Sequence, residues 1–174
     1  MKLSDSVLFL DIDGVLNDQN YRGPGTCGCM ELDPERIRIL SEIVSLKPVS
    51  VVLSSTWKNL APSSGFPQDS ETVHMWESLN QALNEAGFVI CGCTPTVGSR
   101  PKEIYTWLSR HPETHHVLIL DDDWGKESYA EYGLDDYLLE TEFFVQENES
   151  GGLKEEHIPT AQKILELDYN KRKK

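Results

Sequence analysis

The chain has 174 residues, 39% of them hydrophobic, which suits one compact domain over residues 1–174 with an ample core. Its 29 acidic and 16 basic side chains give a net charge of -13, which disfavours a broad basic surface for nucleic acid. No apolar run approaches the roughly 18 residues of a membrane span, and the N-terminus lacks a signal-peptide pattern. We therefore expect a soluble cytoplasmic protein with no membrane contact.

The first predicted element is a strand over residues 7–10, apolar on both faces as in the middle of a parallel sheet. Residues 18–31 are rich in glycine and polar side chains, and we predict a loop or small flap there. A helix start follows at residues 33–35, which supply a capping carboxylate, a proline at the first helical position and an acid in the first turn.

The middle of the chain alternates strands and helices. Residues 49–53 form a second buried strand, and residues 59–71 a polar loop. An amphipathic helix stops at Gly87, and a short third strand is predicted over residues 88–91. A third helix opens at Arg100 and ends before a proline.

The last third begins with a fourth strand over residues 116–120. A further strand is predicted within residues 137–145, and the last helix over residues 155–167. Residues 168–174 are predicted to form a basic C-terminal tail, whose KRKK run is expected to be solvated rather than to bind a partner.

This alternation predicts an α/β fold, a Rossmann-like three-layer sandwich around a mainly parallel sheet of about five strands. Only about forty residues separate Asp11 from Ser54, and a flap and a helix occupy most of them. We therefore predict no full cap domain. A site without a cap admits bulky substrates.

Polar side chains follow three of the predicted strands, at the sheet edge where open α/β proteins bind ligands. They are Asp11 and Asp13 after the first strand, Ser54 and Ser55 after the second, and Asp121 and Asp122 after the fourth. Asp11 and Asp13 are two residues apart in extended chain, so they face the same side. Gly14 lets the backbone turn and is predicted to leave room for a substrate.

Four carboxylates in one region repel each other unless a cation lies among them. Mg²⁺ prefers oxygen ligands, and we predict it as the cofactor, held by Asp11, Asp13, Asp121 and Asp122.

Phosphoryl transfer needs a nucleophile, a proton donor and groups that hold the phosphoryl oxygens. Asp11, nearest the strand, suits the nucleophile that forms an aspartyl-phosphate, and Asp13 the acid and base. Ser54 and Ser55 offer hydroxyls to the phosphate. Arg100 or Lys102 supplies a cation at a helix start, which itself favours anions.

The motifs DIDGVLN, VVLSS, SRPKEI and LILDDD resemble, in order, the four motifs of haloacid dehalogenase (HAD) superfamily phosphatases. The resemblance implies that Asp11 is nucleophile and metal ligand, and that Asp13 is the acid/base and binds the metal through its backbone carbonyl. Ser54, or Ser55 if the register slips by one, is then the phosphate-binding hydroxyl. Arg100 best matches the basic position, with Lys102 as the alternative, and Asp122 is favoured over Asp121 as metal ligand.

A finer resemblance is to the HAD domains of Swiss Army Knife RNA repair proteins, through DIDGVLN, LSSTW, LDDD and the late segment FFVQENESGGLKEEHI. It implies removal of terminal phosphates from RNA, and we expect a phosphorylated substrate such as RNA or a nucleotide. We infer no obligate protein partner from the sequence. Two alternatives stay open: a protein phosphatase of the RNA-polymerase-tail type, and a HAD-fold binding module without turnover.

Several residues outside the four motifs have both a functional and a structural interpretation. Cys27, Cys29, Cys91 and Cys93 form two Cys-Gly-Cys pairs, which allow zinc or a disulfide, although reduced thiols are favoured without a signal peptide. Asp123 is predicted to be a turn residue or a cap for the following segment. Tryptophans 57 and 124 either pack at the sheet edge, which we favour, or stack on a substrate ring. Arg22 and Lys58 either contact substrate phosphates or are solvated, and the histidines show no metal pattern.

Overall fold

The computed structural model describes residues 4–21 and 32–172. Five strands form one sheet in the order β3-β2-β1-β4-β5, and every neighbouring pair is parallel. The strands are β1 Ser6–Leu10, β2 Ser50–Leu53, β3 Ile90–Cys93, β4 His116–Asp121 and β5 Leu138–Glu140. This is an α/β Rossmann-like fold, so the predicted fold class is confirmed.

In the part of the chain that the structure describes, five α-helices connect and cover the strands: α1 Pro34–Val44, α2 Ser70–Glu85, α3 Arg100–Ser109, α4 Lys126–Ala130 and α5 Ile158–Glu166. Helix α1 packs against both α2 and α5, while Trp107 of α3 meets Phe9 of β1 edge to face, with 5.3 Å between ring centroids. Strand β1 is fully buried, as expected for the central strand of a sheet covered on both faces. No helix in the described part of the chain is long and apolar enough to cross a membrane.

Most predicted elements are present, with boundary shifts that have local causes. Asp33 caps α1 by accepting a hydrogen bond from the Glu35 amide at 2.9 Å, as predicted. The third strand was predicted two residues too early, because Phe88 closes α2: its N–H donates to the Leu83 carbonyl at 2.8 Å across Gly87, whose φ is 85°.

The C-terminal helix also starts later than predicted. Residues Glu155–His157 form a 3-10 turn, and α5 begins at Ile158 with Pro159 in its first turn, where a missing N–H costs little. The predicted basic tail begins with another 3-10 turn, Tyr169–Arg172. Tyr169 is buried and packs edge-on against Tyr137, whereas Lys171 is exposed.

The sheet's hydrogen-bond pattern continues one residue beyond the strands at their carboxyl ends. The amides of Asp11, Ser54, Thr94 and Thr141 donate to the last or next-to-last strand carbonyl of a neighbour: Leu120, Leu10, Leu53 and Asp121, at 3.0–3.1 Å. These four residues are therefore fixed to the sheet itself. We call this row the edge ladder.

A loop from the C-terminal half closes over the turn after β1. The Leu153 amide donates to the Val15 carbonyl at 2.9 Å, and Arg36 of α1 donates to the Leu153 carbonyl at 2.8 Å. The Gly151 amide donates to the Asp18 carboxylate at 2.8 Å. Residues 141–154 are thereby held beside the loop that carries Asp13. Of the predicted flap, residues 18–21 belong to this arrangement, and residues 22–31 lie outside the described residues.

Candidate active site

The structure brings Asp11 and Arg100 together at the centre of the sheet's carboxyl edge. Asp11 is buried, and its Oδ1 accepts a hydrogen bond from the Ile12 amide at 2.8 Å, while its Oδ2 contacts Arg100 Nη1. The same Nη1 donates to Asp121 Oδ1 at 3.0 Å. Of the two cations offered by the sequence, Arg100 lies inside the site, whereas Lys102 is exposed on the outer side of α3.

Asp121 is fully buried, and several protein groups donate hydrogen bonds to its carboxylate. Its Oδ2 accepts a hydrogen bond from the Tyr129 hydroxyl at 2.5 Å, and its Oδ1 accepts the amide of Asp123 at 2.9 Å in the turn after β4. Burial and the adjacent Asp121 carboxylate raise the pKa of Tyr129, so this hydroxyl keeps its proton. Asp123 lies in that turn, where the sequence predicted it.

Asp122 is half-buried and has no ion pair within the described ranges. Burial raises the pKa of Asp122 to about 6, and the charges of Asp121 and Asp123 add to the effect. A raised pKa means that the ionised Asp122 carboxylate is less stable here than in water. A bound cation would stabilise the ionised form.

Oxygen atoms of Asp11, Asp121 and Asp122 all lie within 4.8 Å of one another. Three carboxylates at this separation suit a divalent cation with a preference for oxygen, and Mg²⁺ commonly uses one or two carboxylates together with waters and substrate phosphates. The residues therefore fit the predicted cofactor. The Asp13 carboxylate is outside this group, and its expected metal contact is the backbone carbonyl.

Two side chains that sequence analysis did not select for this role hold the Asp13 carboxylate. Trp57 Nε1 donates to Asp13 Oδ2 at 2.9 Å, and Asn17 Nδ2 donates to Asp13 Oδ1 at 3.0 Å. Trp57 is buried, as the favoured packing interpretation expects, and it orients Asp13 through its N–H. A signal for Asn17 was present: it lies four residues after Asp13, on the same side of the tight turn that follows β1.

The two serines after β2 have different surroundings. Ser55 caps the 3-10 turn Thr56–Leu60, where its hydroxyl accepts the Trp57 amide at 3.3 Å. The Ser54 hydroxyl is buried and hydrogen-bonds to nothing within the described ranges. A buried hydroxyl normally finds a partner, so Ser54 is the serine available to a ligand oxygen.

Gly14 is required for a reason other than the predicted one. Its φ is 73°, and a Cβ there would overlap the carboxyl group of Asp122. The space beside Gly14 therefore holds Asp122 and gives no room to a substrate, which corrects the sequence-based expectation.

Lys58 lies beside the cluster but already has a partner. Its Nζ donates to Glu103 Oε2 at 2.5 Å and to Thr94 Oγ1 at 3.2 Å, and both ends of this ion pair are buried. The interpretation of Lys58 as a solvated surface residue is therefore wrong. Arg22, the other flanking cation, lies outside the described residues.

Cys91 and Cys93 are free thiols on β3. Burial raises the pKa of Cys93, which keeps its thiol protonated. Cys27 and Cys29 lie outside the described residues, so the zinc and disulfide alternatives stay predictions.

Comparison with known protein families places the chain in a family. The model of the HAD domain in Swiss Army Knife RNA repair proteins matches residues 7–158, a span that includes every residue of the carboxylate cluster. No curated protein and no solved structure matches the chain significantly. The family resemblance seen in the motifs is thereby confirmed.

Proposed function

Because the chain belongs to the family of HAD domains in Swiss Army Knife RNA repair proteins, we propose that it is a magnesium-dependent phosphatase acting through an aspartyl-phosphate on Asp11. The observation that carries this proposal is the cluster of Asp11, Asp121 and Asp122, in which Arg100 pairs with Asp11 and Asp121 and leaves Asp122 without an ion pair among the described residues. The family match supports a HAD-type phosphohydrolase. The cluster supports the metal and the choice of nucleophile.

In the first step, an Asp11 carboxylate oxygen attacks the phosphorus atom, and the bond from phosphorus to the leaving oxygen breaks. Asp13 gives its proton to that oxygen, so the alcohol leaves neutral. In the second step, Asp13 takes a proton from a water molecule as the water attacks phosphorus. The Asp11–phosphorus bond then breaks, and inorganic phosphate is released.

The surrounding groups suit these roles. The Ile12 amide and Arg100 orient the Asp11 carboxylate, and Asn17 and Trp57 hold Asp13. Arg100 and the unpartnered Ser54 hydroxyl are the groups that would hold phosphoryl oxygens. When bound by Asp11, Asp122 and the Asp13 carbonyl, Mg²⁺ would neutralise negative charge on the phosphoryl group.

The substrate we propose is bulky, such as a nucleic-acid end or a nucleotide. Within the described ranges, the β1–α1 and β2–β3 connections contain no inserted cap domain, so the site can receive a phosphate carried by a large molecule. The family's association with RNA repair proteins points the same way.

The test is hydrolysis of an aryl phosphate with Mg²⁺, with EDTA, and by Asp11→Asn. We expect magnesium-dependent turnover that falls by at least about a thousandfold in Asp11→Asn. Glu77→Gln on the exposed face of α2 is the control, since it makes the same charge change away from the site. Turnover that persists in EDTA or in Asp11→Asn would contradict the mechanism.

A competition between substrates addresses the substrate class. A 3'-phosphorylated oligonucleotide, a mononucleotide and a phosphoserine peptide are compared by kcat/KM. Preference for either nucleotide substrate supports the proposal, and preference for the peptide would favour the protein phosphatase alternative.

A further inference from the structure

A cavity of about 440 Å³ opens beside the carboxylate cluster. Asp122 belongs to the cluster and also lines the cavity. The other walls come from the end of β5 and from the loop of residues 141–154 with the 3-10 turn after it. Its volume lies in the range of small-molecule sites, about 300–1,000 Å³. A group covalently attached to a phosphate at Asp11 would therefore have a defined space next to it.

The cavity is lined mainly by hydrogen-bond acceptors. Glu140, Glu142 and Glu156 contribute carboxylates together with Asp122, and Lys154 is the one lysine or arginine among its lining residues. An acidic lining repels a second phosphate and favours an uncharged group with several O–H donors.

Thr141 gives an independent sign of a ligand. It is 6% exposed, it lines the cavity, and within the described ranges nothing hydrogen-bonds its hydroxyl. Its backbone amide belongs to the edge ladder, so the residue is fixed in place. A buried hydroxyl without a partner is costly, and a ligand hydroxyl would satisfy it.

His157 adds a donor to the same walls. Its Nδ1 accepts the Lys154 amide at 3.1 Å, so the neutral ring carries its hydrogen on Nε2. Burial lowers the pKa of His157, which keeps the ring neutral at pH 7. The lining thus offers many acceptors and a few donors, as a sugar ring with free hydroxyls requires.

We propose that this cavity is the leaving-group site and that it takes a sugar unit with free hydroxyls, such as ribose, with no second phosphate inside the cavity. The inference rests on the proposed phosphatase function and narrows it. The sugar that carries the scissile phosphate sits between Thr141, Glu142 and His157. Any further phosphates of a nucleotide or RNA end lie outside.

The kinetic test compares ribose 5-phosphate, ribose 1,5-bisphosphate and an aryl phosphate on the full chain with Mg²⁺. We expect ribose 5-phosphate to have the highest kcat/KM. In Thr141→Val and in Glu142→Gln, the ratio of kcat/KM for ribose 5-phosphate to that for the aryl phosphate should fall about tenfold, mainly through KM. Glu85→Gln, on α2 outside this cavity, is the control variant and should leave the ratio unchanged.

A binding measurement separates this inference from the proposed function. Titration of unphosphorylated ribose onto the magnesium-loaded chain should shift the amide NMR signals of Thr141, Gly152 and Lys154, and Thr141→Val should weaken the response. A ratio that does not change in either cavity variant, preference for the bisphosphate, or no shift at the cavity would overturn the sugar assignment. If none of the three phosphates is hydrolysed, the phosphatase proposal fails, and the titration alone decides whether the cavity binds a sugar.

Discussion

Two buried ionic groups lie at the start of α3, and they differ in charge balance. Glu103 and Lys58 form a closed pair, one acid with one base, and the Thr94 hydroxyl and the Val97 amide complete its hydrogen bonds. One turn earlier, Arg100 faces Asp11 and Asp121 with Asp122 beside them, an open cluster of three carboxylates and one guanidinium. Both are on the same helix and are similarly buried.

The difference separates a self-contained ion pair from the cluster that we propose to be functional. A closed pair offsets the cost of burying its charges, whereas unbalanced buried charge is unfavourable by itself. The raised pKa of Asp122 is the local sign of that imbalance. Such a cluster is retained where a cation or a reaction uses it, in agreement with the tendency of perturbed groups to gather at functional sites.

The largest expected effect comes from breaking the closed pair. Lys58→Met leaves the Glu103 carboxylate buried without its cation, and we expect the free energy of unfolding to fall by about 3–5 kcal/mol. Urea unfolding at pH 7.5 measures this. The double variant Lys58→Met/Glu103→Gln removes both charges and should recover most of the loss. Equal destabilisation in the single and double variants would show that the pair is not closed as described.

Gly14→Ala disturbs the open cluster from its backbone. The positive φ costs roughly 1–2 kcal/mol in a residue with a side chain, and the new methyl group must also displace Asp122. We expect a loss of about 2 kcal/mol or more, together with weaker stabilisation by Mg²⁺ in thermal unfolding. Gly133→Ala is the matched control, because its φ of 67° is similar and a Cβ there meets nothing within 4 Å. Equal losses of stability in Gly14→Ala and Gly133→Ala would show that displacing Asp122 contributes nothing to the destabilisation.

Trp57→Phe keeps an aromatic ring at this position and deletes the N–H that holds Asp13. We expect kcat to fall by about tenfold with little change in KM, since one oriented hydrogen bond is lost near the reacting atoms. Steady-state kinetics on an aryl phosphate give the two constants. Trp76→Phe on α2 is the control and should keep both. A change confined to KM would mean that Trp57 acts on binding.

The smallest effect concerns the pH dependence of the open cluster. The folded state raises the pKa of Asp122 from 3.8 to about 6, so it binds this proton more tightly than the unfolded chain. The stabilisation that protonated Asp122 gives to the folded state is complete below pH 3.8 and is lost as pH rises through about 6. In EDTA at pH 7.5, Asp122→Asn should therefore raise Tm by on the order of 2 °C relative to wild type.

The same pair of proteins in Mg²⁺ provides the control. Wild type should gain Tm on adding Mg²⁺, and Asp122→Asn should gain much less, because a neutral amide replaces the carboxylate proposed to bind the cation. If Asp122→Asn is less stable than wild type in EDTA at pH 7.5, the ionised Asp122 carboxylate does not destabilise the metal-free fold, and the prediction is wrong.

The sequence was sufficient for the sheet and for the set of strand-end residues, because apolar strands and the parallel topology together decide which residues meet. It did not reveal how the site is completed. Trp57 and Asn17 reach Asp13 through a turn and a neighbouring strand, and Lys58 pairs with Glu103 across 45 positions. Arg100 and Lys102 lie on different sides of α3. Which of the two faces the site depends on how the helix is rotated against the sheet, and the sequence does not specify this rotation.

The edge ladder ties the proposed reaction centre to the central sheet of the molecule. Asp11, Ser54, Thr94 and Thr141 donate their amides to strand carbonyls of the central sheet, so these hydrogens can exchange with solvent only when the sheet separates. Hydrogen–deuterium exchange at the site should accordingly be as slow as in β1 and β4. The backbone of this site is then already in place before any substrate arrives, and ligand binding has little local order left to create.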